Sequence, residues 1–101
     1  MEGKTTFARR LKEAREAVGV SQKQLGILAG IDQFVASARI NQYERGKHAP
    51  DPLTAERLAG VLKVPTSFLY EPNDDLATLL LLAARLPKTR LRALIKRIGE
   101  K

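Results

Sequence analysis

Glycine and proline divide this chain into short pieces. Gly19, Gly30, Gly46, Pro52, Pro65, Pro72 and Pro87 each fall where an apolar pattern stops or starts. Between them the apolar residues keep helical spacing. Phe7, Leu11, Ala14 and Val18 recur four, three and four residues apart, and Leu91, Leu94, Ile95 and Ile98 form an i, i+3, i+4, i+7 stripe. No stretch alternates as a half-buried strand does. A chain built this way folds as a string of short helices, so the fold class expected is all-α.

Each expected helix carries its own end signals. The first covers about residues 6–17, buries Phe7, Leu11, Ala14 and Val18, and stops at Gly19. The second starts at Ser21, a good N-cap, with Gln24 three residues on as a capping box requires, and ends at Gly30. Leu25, Leu28 and Ala29 are its expected apolar face. Asp51 caps a later helix whose first position is Pro52, where the missing N–H costs nothing. Leu58, Ala59 and Leu62 point inward there, and Phe68 and Leu69 follow in the short segment after Pro65. "EPND" is a loop. Asp74 and Asp75 then suit a helix N-terminus by capping and by the dipole. Pro87 separates that helix from the last one.

Charge narrows the partners. The 101 residues carry a net +7, with +5 of it in residues 87–101. Such a surplus favours a polyanion, although a basic helix face can serve solubility alone. There is no cysteine, so disulfides and thiolate zinc sites are excluded. The single histidine, His48, has no carboxylate cluster beside it, and no metal or cofactor is expected. The longest apolar run, residues 79–84, is far shorter than the roughly twenty residues of a membrane span. The first residues lack the apolar core of a signal peptide. A soluble, cytoplasmic, membrane-free protein is expected. No nucleophile–base pair, phosphate loop or metal cluster suggests an enzyme.

Four ordered blocks add a resemblance. They are Arg-Leu-Lys at 10–12 with Arg15, Val-Gly-Val-Ser-Gln at 18–22, Tyr-Glu-Arg-Gly-Lys at 43–47 with Pro50, and Leu-Lys-Val-Pro-x-x-Phe-Leu at 62–69. Together they resemble the phage-repressor-like helix-turn-helix family of lambdoid repressors, Cro proteins and xenobiotic-response-element-type regulators. The match covers about residues 6–70. It implies a lambda-repressor-like five-helix DNA-binding domain, placed over residues 1–70; the residue pattern after it adds a two-helix C-terminal extension over residues 71–101. Helices two and three form the motif, and helix three lies in the major groove.

The resemblance also assigns residues. Gln42 matches a base-reading position; Ser37 and Ala38 match two others but are small; Asn41 shares their side, and Arg39 contacts DNA or forms an internal ion pair. Asn and Gln suit adenine and Arg suits guanine. Ser21, Gln22 and Lys23 sit at a helix N-terminus, which attracts phosphate, although Ser21 also serves as a plain cap. Arg45, Lys47 and His48 are the other phosphate candidates, with simple surface exposure the alternative for His48. Glu44 would repel phosphate; the family pattern instead pairs it with Arg15 in a partly buried bridge. Gly46 supplies a positive φ after the reading helix.

This chain departs from the family by about four extra residues between Gly30 and Glu44. Either "IDQFVA" is a longer turn, with the helix beginning near Ser37, or Asp32 caps a helix extended backwards by one turn. The turn is favoured. Phe34 and Val35 are expected to be buried in both cases. Ala36, Ile40 and Tyr43 form the inward face.

The function expected is a sequence-specific transcriptional regulator, a repressor, binding a palindromic double-stranded DNA operator as a homodimer. Leu76, Leu79, Leu80, Leu91, Leu94, Ile95 and Ile98 are the dimerisation candidates, unless they cap the chain's own core. A DNA-binding antitoxin or restriction-system controller fits the same pattern. A helical interaction module that does not read DNA is the alternative of another class.

Overall fold

The structure, a computed structural model, describes residues 2–100, with side chains from residue 5. The outer limits of the two expected segments, Met1 and Lys101, lie outside the described residues. Seven helices and no strand occur among the described residues: α1 (Glu2–Val18), α2 (Gln22–Leu28), α3 (Ala36–Glu44), α4 (Pro52–Leu62), α5 (Thr66–Tyr70), α6 (Asp74–Ala84) and α7 (Lys88–Gly99). Together the seven form an elongated body of 52 × 28 × 22 Å.

The local signals act as chemistry requires. Asp51 accepts the Thr54 N–H at 2.8 Å and Pro52 opens α4. Ser21 accepts the Gln24 N–H, and the Gln24 side chain accepts the Ser21 N–H, both at 3.0 Å. Leu11, Leu25, Ile40, Leu58 and Leu69, one from each of the first five helices, are the largest fully buried side chains. Burying each contributes about 1.5–3 kcal/mol.

Several expectations need correction. Helix α1 begins at Glu2, one turn before residue 6. Val18 is exposed, because the core ends at Ala14, one turn earlier. Leu28 is also exposed. Helix α2 turns Leu25, Gly26 and Ala29 inward, and position 28 then lies about a quarter-turn outside that face. Asn73, not an aspartate, caps α6 by accepting the Leu76 N–H at 2.9 Å; Asp74 and Asp75 occupy its first turn.

A buried arginine fixes where α6 starts. Arg10 lies on the apolar stripe of α1 and is only 4% exposed. It donates to the carbonyls of Glu71 (2.9 Å) and Pro72 (3.3 Å) and to Asp74 Oδ1 (2.9 Å), and its guanidinium sits 5.5 Å from the Phe68 ring centre. Those bonds from Arg10, with a further one from Arg9, hold the Asp74 carboxyl below the usual carboxylate range. Ala77 and Leu81 of α6 then pack on the common core. Helix α7 buries no residue.

Candidate nucleic-acid interface

The candidate interface begins where α2 and α3 meet. The two helices approach so closely at Gly26 that an added Cβ would lie 2.7 Å from the Ala36 Cβ and 3.1 Å from the Ala36 carbonyl oxygen. These atoms belong to backbone or are fixed to it, so they cannot step aside. Gly26→Ala is therefore expected to destabilise the fold by about 1–3 kcal/mol through overpacking, despite alanine's better helix propensity. Gly60, in α4, is the control: a Cβ there meets nothing within 4 Å. Gly60→Ala is expected to stabilise by about 0.4–1 kcal/mol. Thermal melts of the two variants check both signs.

Helix α3 starts at Ala36, so the extra residues form a long turn, not a backward extension of the helix. Asp32 organises that turn. Its side chain accepts the Phe34 N–H at 2.8 Å, and its carbonyl accepts the Val35 N–H at 3.1 Å. Val35, with no side-chain cap bond, is the N-cap of α3. The expectation that Phe34 and Val35 are packed is wrong: Phe34 is 88% exposed and Val35 is 42% exposed. The space between α2 and α3 is already closed by the Gly26–Ala36 contact and by half-buried Ile31, whose N–H bonds the Gly26 carbonyl at 2.9 Å.

Ala36, Ile40 and Tyr43 face the core. Helical geometry then puts Ala38, Asn41, Gln42 and Arg45 on the opposite strip, with Ser37 and Arg39 on its two flanks. Ser37, Ala38, Arg39 and Arg45 are exposed, while Asn41 and Gln42 are half-buried. Lys23, Lys47 and His48 are exposed as well. Among the described residues Lys23, Arg39, Arg45 and Lys47 have no ion-pair partner, so four cations around α3 are free for an anion.

A polar knot holds the C-terminal half of α3. Arg15 grips Glu44 with two bonds, Nε to Oε2 at 2.6 Å and Nη2 to Oε1 at 3.0 Å, and its third nitrogen reaches the Val20 carbonyl at 3.1 Å. The hydrogen bonding to Glu44 raises the Arg15 guanidinium further above its ordinary range. Gln22 joins the knot by donating Nε2 to Glu44 Oε1 at 3.1 Å and to Asn41 Oδ1 at 3.3 Å. Helix α1, the start of α2 and the strip on α3 are thus locked together. Gly46, at φ 71°, then ends α3: its N–H returns to the Tyr43 carbonyl and that of Lys47 to the Gln42 carbonyl. That reversal carries Lys47 and His48 away from the helix axis.

Three residues escape the sequence reading. Gly26 had a faint signal, a glycine inside a helix. Arg10 had a better one, since it lies three residues after Phe7 and four before Ala14, within the apolar stripe. The exposure of Phe34 had none. Among the described residues no three His, Cys, Asp or Glu side chains gather as a metal site would need, and no helix is long and apolar enough to cross a membrane.

Known proteins resemble this chain in sequence and fold. A family model described as "Helix-turn-helix" matches residues 11–69. Over 60 residues the chain is 42% identical to the "Uncharacterized HTH-type transcriptional regulator RghRB" of Bacillus subtilis (strain 168), a match covering 58% of this chain and 40% of that relative. The chain therefore spans well under half the length of that curated relative. The fold is similar to the crystal structure of the transcriptional regulator BswR, with TM-score 0.83 and 50% identity, covering 90% of each chain.

Proposed function

The chain belongs to the Cro/C1-type helix-turn-helix family of transcriptional regulators, and from that premise we propose that it is a sequence-specific repressor reading double-stranded DNA in the major groove with α3. The observation that carries this reading is the strip of Ala38, Asn41, Gln42 and Arg45, turned away from the core on a helix anchored by Ile40, Tyr43 and the Arg15–Glu44 bridge. Gln42 reads a base edge, adenine by its chemistry. Asn41, oriented by Gln22, and Arg39 reach neighbouring edges. Ser37 and Ala38 leave room for the groove wall. Ser21, Lys23, Arg45, Lys47 and His48 contact phosphates, and Gln22, whose amide hydrogens go to Glu44 and Asn41, does so through its backbone N–H; these contacts supply affinity without sequence preference and make binding salt-sensitive.

One such domain covers little DNA. The active species is a homodimer on a palindromic operator, with half-sites one helical turn apart, and it works in the cytoplasm. Helices α6 and α7 supply the dimer contacts. Leu76, Leu79, Ile95 and Ile98 are exposed and Leu80, Leu91 and Leu94 half-buried, and none of the seven joins the core cluster.

Selection from a random duplex pool tests the proposal. The wild type is expected to enrich a two-fold-symmetric site. Gln42→Ala is expected to lose preference at one base pair per half-site, a cost of about 1–3 kcal/mol there. Lys47→Ala is expected to weaken binding evenly across sequences and to flatten the salt dependence. A wild type that enriches no sequence at moderate salt would favour the interaction module instead.

A further inference from the structure

We propose that Phe34 is a specificity residue that reads a thymine methyl beside the bases contacted by α3; this rests on the assignment of α3 to the major groove. The four extra residues build an ordered turn whose apolar side chain points into solvent, at 88% exposure. A flexible loop would not need the Asp32 carboxylate on the Phe34 N–H, nor the Val35 N–H on the Asp32 carbonyl. The Val35 carbonyl in turn accepts the Arg39 N–H at 2.9 Å, so the turn runs directly into the helix.

Position adds a second observation. Phe34 stands two residues before α3 begins at Ala36, so the exposed ring belongs to the turn that leads into the N-terminal end of that helix. Ser37 and Ala38, exposed and small, leave the space beside it open. The exposed cations Lys23 of α2 and Arg39 and Arg45 of the α3 segment, without an ion-pair partner among the described residues, suit a polyanion as the partner.

The chemistry selects the target. A phenyl ring offers no hydrogen bond, so it cannot read the polar pattern of a base edge. The thymine C5-methyl is the apolar group that pattern contains in the major groove, and phenylalanine is one of the side chains suited to it. The extra turn thereby restores some of the specificity that the small Ser37 and Ala38 give up.

Replacing thymine by deoxyuridine removes only that methyl and tests the idea. On the selected operator, deoxyuridine at one thymine per half-site is expected to weaken wild-type binding about ten- to twentyfold, the worth of two buried methyls, one in each half-site. Phe34→Ala is expected to bind the thymine operator at least as weakly and to be indifferent to the replacement. Phe34→Leu is expected to keep part of the preference. Because the ring is exposed, all three proteins should melt together. A wild type that selects nothing overturns the groove assignment and this inference with it. A selected site whose thymines all tolerate deoxyuridine, or a Phe34→Ala protein that stays sensitive, overturns this inference alone. So does a Phe34→Ala protein whose oligomeric state changes without DNA, since the ring would then serve another copy of the chain.

Discussion

Glu44→Ala is expected to melt roughly 15–30 °C below the wild type and to lose DNA binding because it unfolds. Its side chain is 3% exposed and that of Arg15 is 14% exposed, so the pair is largely out of water. Both carboxylate oxygens are occupied, one by Arg15 alone and one by Arg15 and Gln22. Truncation leaves Arg15 with only the Val20 carbonyl and a charge no longer compensated. Removing one partner of such a pair costs about 3–5 kcal/mol, against a total stability of about 5–15 kcal/mol for a domain this size. Glu44→Gln keeps the shape but not the charge and should fall between. Replacing both partners together, as Arg15→Met with Glu44→Leu, should recover much of the loss, because no unpaired charge remains. Thermal melts read all of these. A Glu44→Ala protein with the wild-type melting temperature and no DNA binding would place Glu44 against the DNA and end the structural account.

That bridge marks a division in what the sequence could say. Features closed within a few residues were legible: the capping box at Ser21 and Gln24, the Asp51 cap before Pro52, and the turns at Gly19, Gly30 and Gly46, all at positive φ. The Arg15–Glu44 pairing was legible only through family resemblance, since 29 residues separate its members. Faces were harder. Val18 and Leu28 fit an apolar stripe yet lie outside the core, because a stripe names a side of a helix and not how far the neighbouring helix extends along it. Arg10 illustrates the converse. A cation on the stripe reads as an interruption until two carbonyls and a carboxylate from residues 71–74 arrive to satisfy it. Phe34 violates the rule that a large apolar side chain is buried, and local consistency breaks where function is expected to override it.

Ile95→Asp is expected to yield a folded monomer whose operator affinity is about 10²- to 10⁴-fold below that of the wild type. Ile95 is 61% exposed on α7, a helix that buries nothing of its own, so the carboxylate costs the isolated chain little. Across a two-fold interface the same change faces two aspartates towards apolar surface, which two chains in contact cannot accommodate. The apolar side chains available are Leu76, Leu79 and Leu82 of α6 and Ile95 and Ile98 of α7, all exposed. The affinity loss follows from linkage. Joined reading helices bind the second half-site as an intramolecular event, and separated ones forfeit that effective concentration. Ile95 is a cleaner probe than Leu80, which is half-buried and would confuse folding with assembly. The clamp of Arg10 on residues 71–74 offers a second control on the proposed dimer, since it fixes where α6 starts. Arg10→Met should loosen half-site spacing without making a monomer. Sedimentation together with operator titration decides the matter: Ile95→Asp protein that remains dimeric, or monomeric protein that binds as tightly as the wild type, would remove α7 from the interface.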